Sequence, residues 1–281
     1  MQSPTGSASD HGAVSAGEAA FAVITAPSHW RGIDLISDLH LAADHPRTFE
    51  AFEAHLRHTS ADAVFILGDL FDLWVGDDAR HGAFESRCAA VLTEASSRIT
   101  LAFMAGNRDF LVGSEMLDAC RVTALADPTV LLAFGQRLLL THGDAWCLAD
   151  VDYQQFRKQV RGPAFQQQFR ARSLAQRLVH AQAIRAQSEH HKRDNAVGDW
   201  ADVDFPTAVH ALRQAGAQVL VHGHTHKPGC GLLAPGYTRE VLSDWDLDDP
   251  GRPPRAEVLR CSSHGLQRLP PATAPASSGA A

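Results

Sequence analysis

Five short motifs carry most of the groups in this chain that could do chemistry, and each follows an apolar run. In order they are Asp38-Leu39-His40, Gly68-Asp69, Gly106-Asn107-Arg108, His142-Gly143-Asp144 and His222-Gly223-His224-Thr225-His226. Any one fragment arises by chance in many proteins, and a lone histidine after a strand is ordinarily a hydrogen-bonded core residue. The ordered set carries more weight, because carboxylate and imidazole donors together suit divalent ions such as Mn, Fe and Zn. Sixteen histidines supply that chemistry in abundance. The five cysteines (Cys88, Cys120, Cys147, Cys230, Cys261) lie far apart with no CxxC pair. They read as free thiols in a reducing compartment and disfavour a closed thiolate zinc site. Two ions held ~3.5–4 Å apart for hydrolysis need a shared carboxylate, and Asp69, in the middle motif, is the natural bridge.

Such donors meet only if the fold delivers five loops to one edge. The runs Ile33–Ile36, Ala63–Leu67, Ile99–Met104, Leu138–Leu140 and Gln218–Val221 have the length of buried strands. Between the first two, Phe49, Phe52 and Leu56 share one helical face, and a second helical stretch covers roughly Gly82 to Ser97. Strands alternating with helices indicate an α/β fold with parallel pairing and helices outside. Ligands in such sheets bind beyond the carboxyl ends of the strands, where all five motifs stand. Val130–Leu140 reads as a β-hairpin turning at Gly135-Gln136, so the expected architecture is a mixed-sheet, α+β-like sandwich instead of a purely parallel sheet.

Residues 1–30 are rich in Ala, Ser and Gly and lack the basic start of a secretory signal, so a disordered extension is expected there. Residues 270–281 read as a disordered tail. The core is expected over 31–145 and 204–269, interrupted by a helical lid at 146–203. No apolar run approaches the ~20 residues that span a bilayer, and a cytoplasmic protein is expected. The net charge of -7 argues against a general nucleic-acid binder. The lid is different: from Tyr153 to Arg193 it holds nine Lys or Arg and a single acid, Glu189, a local charge of +8. It favours helix, breaks at Gly162-Pro163, and spaces Phe165 and Phe169, then Leu174 and Leu178, four apart. Its basic side suits a diphosphate or anionic headgroups and its apolar side an acyl groove. The bland alternative is a cap with a solvated basic face.

The order DLH, GDLFD, GNRD, HGD, HGHTH resembles the calcineurin-like metallophosphoesterase superfamily over residues 33 to 227. GDLFDLWVGDD, GNRDFLVG and HGDAWC, with a helical insertion after the HGD loop, are closely similar to the bacterial UDP-2,3-diacylglucosamine pyrophosphatases of lipid A synthesis. The GDxVDRG and GNHE of phosphoprotein phosphatases are absent. The resemblance implies a calcineurin-like core with a helical cap and two divalent ions, most simply Mn2+. One ion would sit on Asp38, His40, Asp69 and His226, the other on Asp69, Asn107, His142 and His224.

The implied reaction cleaves the diphosphate of UDP-2,3-diacylglucosamine to UMP and 2,3-diacylglucosamine 1-phosphate. A metal-bridging hydroxide would attack the uridine-bearing phosphorus, with Asp69, Asn107, Arg108 and His142 as the catalytic set. Arg108 stands where many superfamily members carry a histidine. A phosphate leaving group needs charge stabilisation more than a proton, which a guanidinium provides. Implied substrate contacts are Asn107, Arg108, Asp150, Arg185, Ser188, Lys192 and His224, with Arg193 or Asn195 matching a further basic position. The enzyme would work as a peripheral protein on the cytoplasmic face of the inner membrane, with its lipid-linked nucleotide as partner and no nucleic acid or obligate protein partner. His222 is read as a hydrogen-bonded neighbour, and Asp77 and Asp78 as caps of the helix that follows them. Asp72 has no assigned role. A hydrolase of a soluble nucleotide diphosphate or phosphodiester is the alternative. A non-catalytic scaffold would show broken ligands, and here every motif donor is present.

Overall fold

Strands apolar on both faces need cover on both sides, and this chain supplies it with two sheets between two helical layers. A computed structural model describes residues 21–194 and 202–274, the side chains of 185–194 apart. The first sheet runs β12 (Gly265–Leu269), β11 (Val258–Ser262), β2 (Gly32–Ile36), β3 (Ala63–Leu67), β4 (Thr100–Met104), β5 (Val122–Leu125). The second runs β1 (Ala22–Thr25), β6 (Thr129–Ala133), β7 (Gln136–Thr141), β8 (Val219–His222), β10 (Tyr237–Val241), β9 (Gly229–Ala234). Both are mixed: β2 to β5 are parallel, while β11 joins β2 antiparallel and β6 joins β7 antiparallel.

Period-two alternation assigns each strand's two faces. Ile33, Leu35, Phe65 and Leu67 pack between the sheets against Leu131, Leu138, Leu140 and Val221. Ile36, Val64 and Ile66 face outward, where α1 (Pro46–His58), α2 (Ala83–Ser96) and α3 (Ser114–Cys120) cover them. Phe49, Phe52 and Leu56 of α1 are buried there as their spacing predicts. Helix α7 (Phe205–Ala215) covers the second sheet, capped by Asp204, whose side chain accepts from Thr207 N–H at 2.9 Å. Register then levels the functional ends. Ile36 pairs with Ile66 and Ile66 with Phe103, while Thr141 pairs with His222. The loops that follow therefore leave each sheet side by side.

The structure departs from the sequence reading at several places. The hairpin turns at Phe134-Gly135, with φ of 52° and 77°, and Ala133 pairs with Gln136. Positive φ at both central positions matches the twist of a two-residue hairpin loop, and the glycine takes the second of them. Residues 21–30 are not disordered: β1 lies parallel to β6, Ala22 opposite Thr129. An Ala- and Ser-rich background hid this short run. At the other end, Ala272 N–H donates to His55 Nδ1 at 3.1 Å, so the first tail residues lie on the core. Residues 1–20 and 275–281 fall outside the described residues.

The insertion forms α4 (Val151–Val160), α5 (Pro163–Arg170) and α6 (Leu174–Asp194), with the break at Gly162. Its apolar side is already used, because Phe165, Phe169, Leu174 and Leu178 pack on the cluster under α1 to α3. Arg177 is buried and pairs with Asp78 and the Val75 carbonyl, which ties α6 to the core. Among the described residues no helix is long and apolar enough to cross a membrane.

Candidate metal centre

The donor residues leave the sheets through turns that ordinary backbone avoids. Asp38, His40, Asp69, His224 and His226 have φ of 54°, 47°, 54°, 66° and 51°. Only Arg121 and Phe134 share this among the described non-glycine residues. Left-handed backbone costs an L-residue ~1–2 kcal/mol, and such strain gathers where function requires it. The turns fold each donor back over the sheet end. Three motif glycines make room for the donors, and a Cβ on Gly68 would stand 2.3 Å from His142 Nδ1. A Cβ on Gly106 would stand 2.2 Å from Asp69 Oδ1, and one on Gly223 would stand 2.3 Å from Asp38 Oδ2. Each lacks a side chain because a donor from another loop occupies the space.

The structure brings Asp38, His40, Asp69, Asn107, His142, His224 and His226 together at the shared edge of both sheets. His40 Nε2 and His226 Nε2 are 3.3 Å apart. Asp38 Oδ1 lies 3.3 Å from His226 Nε2 and 4.0 Å from His40 Nε2. Asp69 faces both sides, with Oδ2 4.0 Å from His40 Nε2 and Oδ1 3.7 Å from His142 Nε2. Asn107 Oδ1 is 2.9 Å from His142 Nε2 and 2.8 Å from His224 Nδ1. Two groups could each hold an ion with donor atoms within 4.8 Å of one another: Asp38, His40 and His226, and Asp38, Asp69 and His142.

These residues fit divalent cations. Asp38 Oδ1 is buried without a hydrogen-bond donor, and a buried carboxylate oxygen facing imidazole edges calls for positive charge between them. His142 supplies some of it. Burial would lower this imidazole, but Asp69, Asp38 and Asp144 outweigh burial and raise it to about 9. Its Nδ1–H donates to the Leu67 carbonyl at 2.9 Å, which aims Nε2 into the cluster. Burial, aided by the His142 charge, lowers His224 to about 3, so it stays a neutral donor. Burial also pushes the Asp69 carboxyl up, whereas His226 and its neighbours overcome burial at Asp38 and hold it far below the usual range.

Supporting residues escape a motif reading. Asp109, buried behind the Gly-Asn-Arg loop, accepts the N–H groups of Asp69, Leu70, Phe71 and Gly106 at 3.3, 2.7, 3.3 and 2.8 Å. It staples two donor loops. Burial and the Asp69 charge push its carboxyl up to about 7. Its only sequence signal is an acid directly after Asn107-Arg108. Asp244 Oδ2 stands 3.4 Å from His226 Nδ1 and pairs with Arg255, orienting that imidazole. Its partner is too far along the chain for spacing to reveal.

The remaining predicted residues vary in placement. Arg108 is half-buried and donates its backbone N–H to Asp69 Oδ1 at 2.8 Å. Asp150 caps α4, accepting from Tyr153 N–H at 3.0 Å. The side chains of Arg185, Ser188, Lys192 and Arg193, and all of Asn195, lie outside the described residues. His222 is buried, donates from Nδ1 to the Gly223 carbonyl at 2.9 Å, and is lowered by burial to about 4. Asp77 does not cap α2, the next helix. Its carboxylate accepts from Trp74 Nε1 at 3.1 Å and from the N–H groups of Gly113 and Met116 at 2.9 and 3.1 Å, at the start of α3. The buried Trp74 ring packs against Phe71, tilted by 31° with centroids 4.5 Å apart. The acids of this loop thus secure an indole, a helix start and, through Asp78, the lid.

Residues 32–228 match the model of the calcineurin-like phosphoesterases. The chain belongs to the calcineurin-like phosphoesterase family. Membership and donor chemistry together make this a divalent-metal site. Among curated relatives of this phosphoesterase, a UDP-2,3-diacylglucosamine hydrolase of Bordetella pertussis is 43% identical over 241 residues, covering 83% of this chain and 92% of that protein. A Xanthomonas campestris protein of the same name is 39% identical over 242 residues, covering 82% and 95%.

Proposed function

We propose that this phosphoesterase hydrolyses the diphosphate of UDP-2,3-diacylglucosamine, releasing UMP and 2,3-diacylglucosamine 1-phosphate for lipid A synthesis. One observation carries the reading: an intact donor set at the shared edge of both sheets in a chain 43% identical to a hydrolase of that name. Asp38, His40, Asp69 and His226 would hold one divalent ion and Asp69, Asn107, His142 and His224 a second, with Mn2+ the metal of choice. When bound, the ions supply Lewis-acid stabilisation of the phosphoryl oxygens and activation of water.

The chain's own residues do the rest. Leu67 fixes the His142 ring, Asp109 locks the Asp69 and Gly106 loops, and Asp244 orients His226. Arg108, adjacent to Asp69, stabilises charge on the departing sugar phosphate through its planar fork. Asn107, Arg108, Asp150, Arg185, Ser188, Lys192 and His224 are the proposed substrate contacts.

The lid supports peripheral contact with the inner face of the inner membrane. Leu148, Val151 and Val179 are 46%, 58% and 68% exposed, and Lys158, Arg170 and Arg172 of the same insertion are exposed cations, while the exposed acids Asp150 and Asp152 flank Val151. Exposed apolar side chains and exposed cations on one insertion suit an anionic lipid surface. The test is UMP release from purified UDP-2,3-diacylglucosamine, with and without chelator and added Mn2+. Metal-dependent release is expected. Hydrolysis of soluble nucleotide diphosphates with none of the lipid substrate would replace this reading.

A further inference from the structure

Asp144, two residues beyond His142, is wholly buried and meets one stripe of the lid. Tyr153 Oη donates to its Oδ2 at 2.7 Å, Arg157 Nε at 2.8 Å and Arg161 Nη2 at 3.4 Å. Arg157 Nη2 adds a bond to Oδ1 at 3.4 Å, which closes a fork. Residues 153, 157 and 161 are four apart, so they lie on one face of α4 and its C-terminal end. The same face reaches two further donor loops. Arg161 Nη2 donates to the Gly106 carbonyl at 2.9 Å, and the Tyr153 ring stands 5.7 Å from the His224 ring. Gln154 Nε2 adds a bond to the Asp144 carbonyl at 2.7 Å.

Taking the Asp144 carboxylate wholly out of water, against Arg157 and Arg161 side chains that stay 23% and 25% exposed, is costly, and apolar residues of similar volume often stabilise a fold as well or better. What a forked ion pair adds is geometry, because the guanidinium plane and the carboxylate fix each other's orientation. We infer that Asp144 is a positioning residue, which sets the lid helix α4 in register with the loops of Asn107, His142 and His224. The inference rests on the proposed function for its consequence. A lid held in register aligns the lipid-bearing nucleotide, whereas a small soluble diester needs no lid. Asp144 therefore governs KM for the lipid substrate.

The clamp is tested from the lid side, since Arg157 lies apart from the metal donors. Arg157→Leu is expected to speed amide exchange in residues 151–160 and to raise KM for UDP-2,3-diacylglucosamine in mixed micelles, each about tenfold or more, because a buried pair that loses one partner is strongly weakened. The kcat on that substrate, and hydrolysis of bis(p-nitrophenyl) phosphate, should stay near wild type. Arg157→Lys, which keeps the charge and loses the fork, should recover only part of the KM. If Arg157→Leu fails to fold by near-ultraviolet circular dichroism, Tyr153→Phe removes one donor without changing charge and should give the same shifts at smaller size. Wild-type exchange and wild-type KM in the folded variants would overturn the inference. So would equal loss on both substrates with α4 exchange unchanged, which would put the pair in the chemistry. If the wild-type enzyme does not hydrolyse the lipid substrate, the proposed function fails, and exchange in α4 alone decides for or against the clamp.

Discussion

Adding one methyl group to Gly106 should disable the metal centre. Gly106 is not among the glycines of positive φ, so alanine meets no left-handed backbone penalty there and the contact dominates the effect. The new Cβ would lie 2.2 Å from Asp69 Oδ1, 2.4 Å from Asp69 N and 2.9 Å from Asp69 Cγ. Unstrained carbon contacts begin near ~3.5 Å, so the two loops must part by about 1 Å. Metal–donor distances tolerate only ~0.2 Å, and a displacement of about 1 Å at a reacting centre can cost ~10²-fold in rate. Asp109 makes the shift harder to absorb, because it holds Asp69 and Gly106 by the same carboxylate. Gly106→Ala should therefore lose about 10²-fold in UMP release, and dialysed protein should retain less metal by inductively coupled plasma mass spectrometry. Gly32→Ala is the control, since its Cβ would meet Arg260 Cδ at an ordinary 3.6 Å. Full metal content in Gly106→Ala with turnover within about threefold of wild type, under 1 kcal/mol in barrier, would refute the reasoning.

Asp69→Ala should abolish turnover and deplete the paired metals with little loss of fold, and two ions retained by mass spectrometry would contradict the shared-carboxylate assignment. Arg108→Lys should lose most activity despite its kept charge, and a rate within about twofold of wild type would make the position a bystander. Reversing Arg170 and Arg172 to Glu should cut activity on the lipid substrate in anionic micelles, increasingly as salt falls, while sparing a soluble diester. Arg177 is no part of that exposed basic face, being a buried tie to Asp78. At Asp34 burial pushes the carboxyl up, but Arg260, His55 and Thr59 prevail and hold it at about 2, below its unfolded 3.8. A depressed folded value means stability that is full above the unfolded one, about 2 kcal/mol, and lost as pH falls from about 4 to about 2. The gap in urea midpoint between wild type and Asp34→Asn should narrow over that window, and a constant gap would exclude the ion pair as its source.

What the sequence by itself determined is local. Apolar runs of strand length appear at 33–36, 63–67 and 99–104 because a strand buried on both faces carries few polar residues. The one buried acid among them, Asp34, is paired with Arg260. The ordered donors behind them reveal the site because metal binding leaves little choice of side chain. Only the tertiary structure decided the rest. Its two sheets, one supplying Asp38, His40, Asp69 and Asn107 and the other His142, His224 and His226, put donors from distant segments within 3–4 Å. Asp77 serves a helix that begins at Ser114, Asp244 serves His226, and Arg177 spends its charge inside the protein instead of toward a membrane. Nothing in their local spacing marks these partners. A carboxylate or guanidinium has the same character wherever it stands, and only packing determines whether water, a helix end or another charge receives it.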